Sequence, residues 1–166
     1  MTTMENDITK KVLNLLKKNA RISIEEIADR LNSTPETISA LIAQLEKDNV
    51  IVGYTALVND IDEKDEVRAI IEVQVTPERD AGFDNVALRL AQFPEVTALY
   101  LVSGKYDLRL EVVGKSLQDV ASFVAGKLSS QDGVKSTATY FMLKKYKESG
   151  ICFTKEEKNE RLQVVP

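Results

Sequence analysis

Apolar residues in the first fifty positions recur at helical spacing, in three runs separated by polar punctuation. Ile8, Val12, Leu13 and Leu16 follow Asp7 near that spacing, with Lys10, Lys11, Lys17 and Lys18 around the other side, which predicts a first helix. Ser23 and Glu26 form a capping box, in which each side chain satisfies an amide at the helix start. Ile24, Ile27, Ala28 and Leu31 then supply the apolar stripe of a short second helix. Asn32 and Ser33 interrupt the pattern. Thr34 and Pro35 read as N-cap and first helical residue, where proline's missing amide costs nothing, so a third helix is expected from Pro35 to about Asp48. Its buried stripe is Ile38, Leu41, Ile42 and Leu45, which leaves Glu36, Ser39, Ala40, Ala43, Gln44 and Lys47 facing outward.

The period then changes. Residues 52–58 read as a short strand, and the run Asn59, Asp60, Asp62, Glu63, Lys64, Asp65 and Glu66 as a solvated loop that marks a domain boundary near residue 60. Val67, Ala69, Ile71, Val73 and Val75 alternate with mostly polar neighbours, giving a strand with one buried face. Phe83, Val86, Ala87, Leu90 and Phe93 return to helical spacing up to Pro94. Strands over 96–103 and 108–113 are joined by the turn Gly104-Lys105-Tyr106-Asp107. Ser116 with Asp119 caps a further helix whose apolar face includes Leu117, Val120, Ala121, Val124 and Leu128, and Asp132-Gly133 leads into a last long strand over 134–146. This order, β-α-β-β-α-β, is the ferredoxin-like split unit, a four-stranded antiparallel sheet with two helices on one face. Leu99, Leu101, Phe141 and Leu143 point away from Tyr100, Val102, Tyr140 and Met142, so the second sheet face needs cover, and sheet-to-sheet dimerisation supplies it economically.

Composition narrows the possible functions. The chain has 166 residues, 43% hydrophobic and 29% charged, with no apolar run near the length of a membrane span and no export signal at its start. A lone Cys152 makes no internal disulfide and has no flanking cluster, which suits a reducing cytoplasm and argues against a ligand or nucleophile there. The complete absence of histidine removes the commonest general base and metal ligand, so no catalytic residue, metal site or cofactor is expected. Gly114-Lys115-Ser116 resembles the end of a phosphate loop, but Arg109 stands where the first glycine belongs. Asn32-Ser33-Thr34 matches a glycosylation sequon that a cytoplasmic chain never uses, and Phe123 and Phe141 read as core or interface residues. The tail, charged in its middle and ending in Leu162, Val164 and Val165, packs along the second domain or pairs with a neighbouring subunit.

Two short helices joined by a tight polar turn have the proportions of a DNA-reading helix-turn-helix, and equally of a generic three-helix bundle. The residues discriminate. Ala20-Arg21-Ile22-Ser23, Glu26-Ile27-Ala28, Thr34-Pro35-Glu36-Thr37-Ile38-Ser39, Leu45-Glu46-Lys47 and Val50-Ile51-Val52-Gly53-Tyr54 together resemble the Lrp/AsnC (feast/famine) family of prokaryotic regulators, over nearly the whole chain. The resemblance implies an α+β chain. A winged-type helix-turn-helix domain would span 1–52, a strand and linker 53–66, a ferredoxin-like (RAM) effector-binding and dimerisation domain 67–148, and a tail 149–166. It implies that the third helix lies in the major groove of double-stranded DNA, with contacts from Thr34, Glu36, Thr37, Ser39, Ala40, Gln44 and Lys47. The family usually carries paired arginines after this helix's serine, where this chain has Ala40 and Leu41. Guanine readout by arginine is therefore missing, and with a net charge of −4 the phosphate attraction must come from Lys10, Lys11, Lys17, Lys18, Arg21 and Lys47. The expected result is weak, strongly salt-dependent binding per half-site, made useful by several half-sites on one dimer, tetramer or octamer.

Leu101-Val102-Ser103-Gly104-Lys105-Tyr106-Asp107 resembles the family's effector loop, where an amino acid or related small molecule binds at subunit interfaces. The implied pocket is Ser103, Gly104, Tyr106 and Asp107, lined by Leu117, Tyr140, Phe141 and Met142. Asp107 would pair with an ammonium group, and amides beside Gly104 would receive a carboxylate. The competing reading is a plain turn, with Gly104 at positive φ and Asp107 bonded to the local backbone. Two rival functions remain at this level. Relatives of this architecture decarboxylate sirohaem with histidines that this chain lacks, and an effector-sensing or interaction protein with weakened DNA binding is compatible with the missing arginines.

Overall fold

The computed structural model describes residues 3–58, 66–77 and 82–153. The chain divides into two compact units, 1–58 and 59–166.

The first unit consists of α1 (Thr3–Lys18), α2 (Ile24–Leu31) and α3 (Pro35–Lys47). α1 begins a turn earlier than its apolar stripe, and the Asp7–Lys11 pair at 2.6 Å supports its first exposed turns. The Ser23 hydroxyl accepts the Glu26 amide at 3.1 Å, as the capping box requires, but the reciprocal bond is not made. Glu26 turns down its own helix to Arg30 at 2.6 Å, an i,i+4 ion pair that competes for the same carboxylate. Asn32 ends α2 in the left-handed conformation at φ 50°, and the Ser33 amide donates to the Ala28 carbonyl, so the polar interruption seen in the sequence is a true helix stop. Val12, Ile27, Ala28 and Ile38 form the centre of this small core, flanked by Ile8, Leu15, Leu16, Leu31, Leu41 and Ile42.

The strand expected over 52–58 does not form. A strand needs a neighbour for its ladder, and none of the described residues of this unit pairs with these; the segment is extended chain with Val52 and Val58 exposed. Tyr54 ties it back to α3, its hydroxyl donating to Glu46 Oε1 at 2.9 Å. The acidic run over 59–65 lies outside the described residues.

The second unit runs β1 (Val67–Val75), α4 (Asp84–Ala91), β2 (Val96–Leu101), β3 (Leu108–Gly114), α5 (Leu117–Phe123) and β4 (Val134–Phe141), in the sheet order β2-β3-β1-β4, all antiparallel. This is the expected split unit. One sheet face carries Ala69, Ile71, Val73, Val75, Leu108, Leu110 and Val112, packed against Val86 and Leu90 of α4 and Val120 and Phe123 of α5. Phe93 and Phe123 meet edge to face at 5.5 Å between ring centres.

Two elements depart from the sequence reading. α5 passes into a π turn (Val124–Leu128), closed by the Ser129 amide on the Val124 carbonyl at 2.9 Å. The wider turn brings Phe123 and Leu128, five apart, onto the buried face, while Leu117 and Ala121, expected on the apolar face, are exposed ahead of it. The last strand ends at Phe141 instead of continuing to residue 146, because Met142, whose amide donates to Arg68 O, is the last residue with β1 beside it. The chain then folds on itself as β5 (Lys147–Glu148) and β6 (Ile151–Cys152), through Ser149 at φ 47° and Gly150 at φ 85°. Both turn residues are left-handed, as a type I′ hairpin turn requires, and the Ser-Gly dipeptide was the legible signal. The rest of the tail, including Leu162, Val164 and Val165, lies outside the described residues.

Candidate nucleic-acid interface and effector site

α3 is positioned by its start. Thr34 is extended, its hydroxyl accepts the Thr37 amide at 3.3 Å, and its Oγ1 lies 3.0 Å from Thr37 Oγ1. Ile38 and Leu45 anchor the inner face. At 100° per residue, Glu36, Ala40, Ala43 and Lys47 then fall within about 60° of one another on the outermost line. Thr34, Glu36, Thr37, Ser39, Ala40, Gln44 and Lys47 are all exposed, so the seven residues implied by resemblance share one surface. They are not equally available. The two threonine hydroxyls are bonded to each other, and Gln44 Nε2 donates to Asp48 Oδ1 at 2.8 Å. Residues 1–58 carry seven lysines and arginines against eight acids, and Lys11 and Arg30 are paired within their own helices. Lys10, Lys17, Lys18, Arg21 and Lys47 are exposed.

The implied effector residues separate into groups. Ser103 and Gly104 are exposed on the β2–β3 loop, with Tyr106 and Asp107 half-buried beside them. Gly104 does not adopt a positive φ, and the Val102 amide closes the loop on the Asp107 carbonyl at 2.9 Å, but the Asp107 side chain reaches beyond it. The Asp107 amide donates to Val73 O, and its Oδ2 accepts the Val75 amide at 2.9 Å. The β1–β4 register breaks between Gln74 and Val75, and the Asp107 carboxylate takes the Val75 amide at this break. Phe141 and Met142 sit at the other end of the sheet, opposite Ala69 and beside Arg68, and Leu117 follows the far end of β3. β3's seven residues put roughly 20 Å between those ends.

Tyr140 stands between the groups, on the sheet face opposite α4 and α5. The charge of Glu72 nearby raises the Tyr140 hydroxyl's pKa above its ordinary value, with Tyr106 and Lys105 also within electrostatic reach. Glu72 and Lys105 were missed in the sequence; the signal was an acid inside an apolar strand. Across this face Tyr100, Arg109, Glu72 and Ala138 form one row, and Ala98, Glu111, Ile70 and Tyr140 the next.

A separate cleft of about 500 Å³ lies between the ends of β3 and α5, lined in part by Glu95, Gly114, Asp119 and Lys127, and contains none of the implied effector residues. Lys127 donates to Glu95 Oε1 and holds that carboxyl below the ordinary carboxylate range. Among the described residues no helix is long and apolar enough to cross a membrane.

A capped helix-turn-helix joined to a split β-α-β unit defines a class of transcription regulators with separate DNA-binding and ligand-binding parts. Family profiles match both halves: winged helix-turn-helix DNA-binding over residues 5–52, and the Lrp/AsnC ligand binding domain over 68–151. The HTH-type transcriptional regulator YugG of Bacillus subtilis is 42% identical over 157 residues, covering 93% of this chain and 95% of its own. The chain belongs to the Lrp/AsnC family. Among solved structures it is similar to the transcriptional regulator NMB0573 of Neisseria meningitidis, determined as an L-Met complex, with 26% identity, a TM-score of 0.67 and coverage of 85% and 91% of the two chains. It also shares its fold with AsnC of Escherichia coli, at 23% identity, a TM-score of 0.63 and coverage of 84% and 92%.

Proposed function

We propose that this chain is a cytoplasmic, non-catalytic, sequence-specific DNA-binding regulator that responds to an amino acid or related small metabolite and acts as a dimer or higher oligomer. The outward surface of α3 carries the reading: a helix fixed at its start by Thr34 and Pro35, with Ala40 and Ala43 between Glu36 and Lys47 along its crest and polar side chains beside them, fits a major groove. Thr34, Glu36, Thr37, Ser39, Ala40, Gln44 and Lys47 contact the duplex, and the exposed lysines of α1 supply phosphate attraction.

The effector is held by Ser103, Gly104, Tyr106 and Asp107 together with Leu117, Tyr140, Phe141 and Met142. Because those groups sit mostly at opposite ends of one sheet, a pocket containing all of them draws on more than one copy of the chain. The mixed apolar and charged face around Tyr100, Ile70 and Tyr140 is the surface on which two sheets meet. The neighbour that holds L-Met supports an amino acid as the effector class.

Genomic footprinting of the native protein, with and without a panel of amino acids, tests this reading. Protected sites whose pattern changes with one amino acid support it. A chain that protects no site under any condition overturns it.

One observation favours a second reading, an effector-sensing protein with weakened DNA affinity: the α3 face has no arginine, and its one long amide, Gln44, is engaged by Asp48. Gel shifts on its own promoter region separate the two.

A further inference from the structure

We infer that Glu36 is the principal base reader of α3 and selects a cytosine in each half-site; this rests on the DNA-reading role proposed above. The crest of the helix is Glu36, Ala40, Ala43 and Lys47. The alanine methyls let the backbone approach a groove floor closely but carry no donor or acceptor. One proton joins the Thr34 and Thr37 hydroxyls, and Gln44, about 70° round the helix from the crest, gives one amide hydrogen to Asp48. Ser39 is short and lies to one side of the crest. Glu36 and Lys47 are the long polar side chains left at the crest, eleven residues or about 16 Å apart along the axis. Glu36 sits in the first turn. That is the end of a second helix that helix-turn-helix proteins present to base edges.

The chemistry of a carboxylate fixes what it selects. It only accepts hydrogen bonds, so it is repelled by the acceptors of guanine and by the O4 of thymine. Adenine offers its N6 donor beside the N7 acceptor, a pair that suits an amide. Cytosine offers the N4 donor with an acceptor on one side only, the O6 of its paired guanine, whereas adenine N6 lies between two, its own N7 and the thymine O4. The same negative charge is repelled by phosphate, so Glu36 also weakens binding to DNA that lacks the cytosine. Discrimination in this protein is therefore achieved by an acid that penalises wrong sequences, in the place where arginine would reward a right one.

The test is selection from random duplexes with the full-length chain, as wild type, Glu36→Gln and Glu36→Ala, followed by titration of the winning site at one fixed salt concentration. Wild type is expected to enrich one C·G pair per half-site and to lose ~10-fold in affinity when that pair alone is changed. Glu36→Gln, which keeps the shape and adds a donor, is expected to move the preference at that position to adenine. Glu36→Ala is expected to lose preference there and nowhere else, while binding random duplex several-fold more tightly. Enriched sites that are identical for all three proteins overturn the assignment of Glu36 and leave α3 as the reader. Failure of the wild type to enrich any sequence overturns the DNA-reading role itself, and this inference with it.

Discussion

The helical unit and the sheet unit are stabilised by different means. Four residues make up the buried centre of the first, Val12, Ile27, Ala28 and Ile38, and its helices start and stop on side chains a few positions away, at Ser23, Asn32 and Thr34. Twelve make up the core of the second, drawn from β1, α4, β3, α5 and the π turn, and its α4 starts at Phe83 with no side-chain cap. A small core leaves a larger share of stability to local signals, whereas a sheet buries enough area to dispense with some of them. The surface expected to meet DNA therefore stands on helix ends, and the part expected to sense a ligand stands on packing.

Substitutions sharpen this contrast in order of size. Leu110→Ala, in the middle of β3 and fully buried, is expected to cost ~2–5 kcal/mol in denaturant unfolding followed through the tyrosines, four of which lie in the second unit. Gly114→Ala comes next at ~1–3 kcal/mol, because the new Cβ would stand 2.9 Å from Val120 Cγ2 and 3.3 Å from the Val120 amide nitrogen, a backbone atom with little freedom to move.

Asp107→Ala is expected to cost ~1–3 kcal/mol by leaving the Val75 amide without an acceptor, while Asp107→Asn keeps one and costs less. If the carboxylate also pairs with an ammonium group, both variants lose effector affinity in calorimetric titration, and the two roles separate. Thr34→Ala removes the N-cap of α3 for about 1 kcal/mol, seen as a lower melting temperature of the helical signal. A larger loss there than at Leu110 would break the contrast.

The smallest effect is one of pH. Lys127 holds the Glu95 carboxyl below the ordinary 4.5, so the pair contributes above that pH and the contribution fades as pH falls through the lowered value. Lys127 is half exposed, and solvent screens the gain. Lys127→Met is expected to flatten the acid side of the stability profile slightly.

The same contrast governs what could be foreseen. Thr34-Pro35, the stripe Ile38, Leu41, Ile42, Leu45 and the alternation along β1 are local patterns, and each element formed where the pattern placed it. The end of β4 depends on where β1 begins in space, some 70 residues earlier, and no pattern in 134–146 announces it. Residues 52–58 carry strand-like composition yet pair with no strand among the described residues. At the candidate sites, the outward face of α3 followed from periodicity alone. The attachment of Asp107 to Val75, and the wide separation of Ser103 from Met142, are matters of register that spacing along the chain does not encode.

The π turn has a consequence for length. Such a turn is an α-helix holding one residue more than its ladder needs. Phe123 and Leu128 stand five apart and are both buried, so the surplus is absorbed without releasing either anchor. Removing Gly126, at which a Cβ would meet nothing within 4 Å, would set the anchors four apart, still on one face of an ordinary helix. The chain thus carries an insertion that its core does not register, and a shorter relative would reach the same sheet by a plain α-helical path.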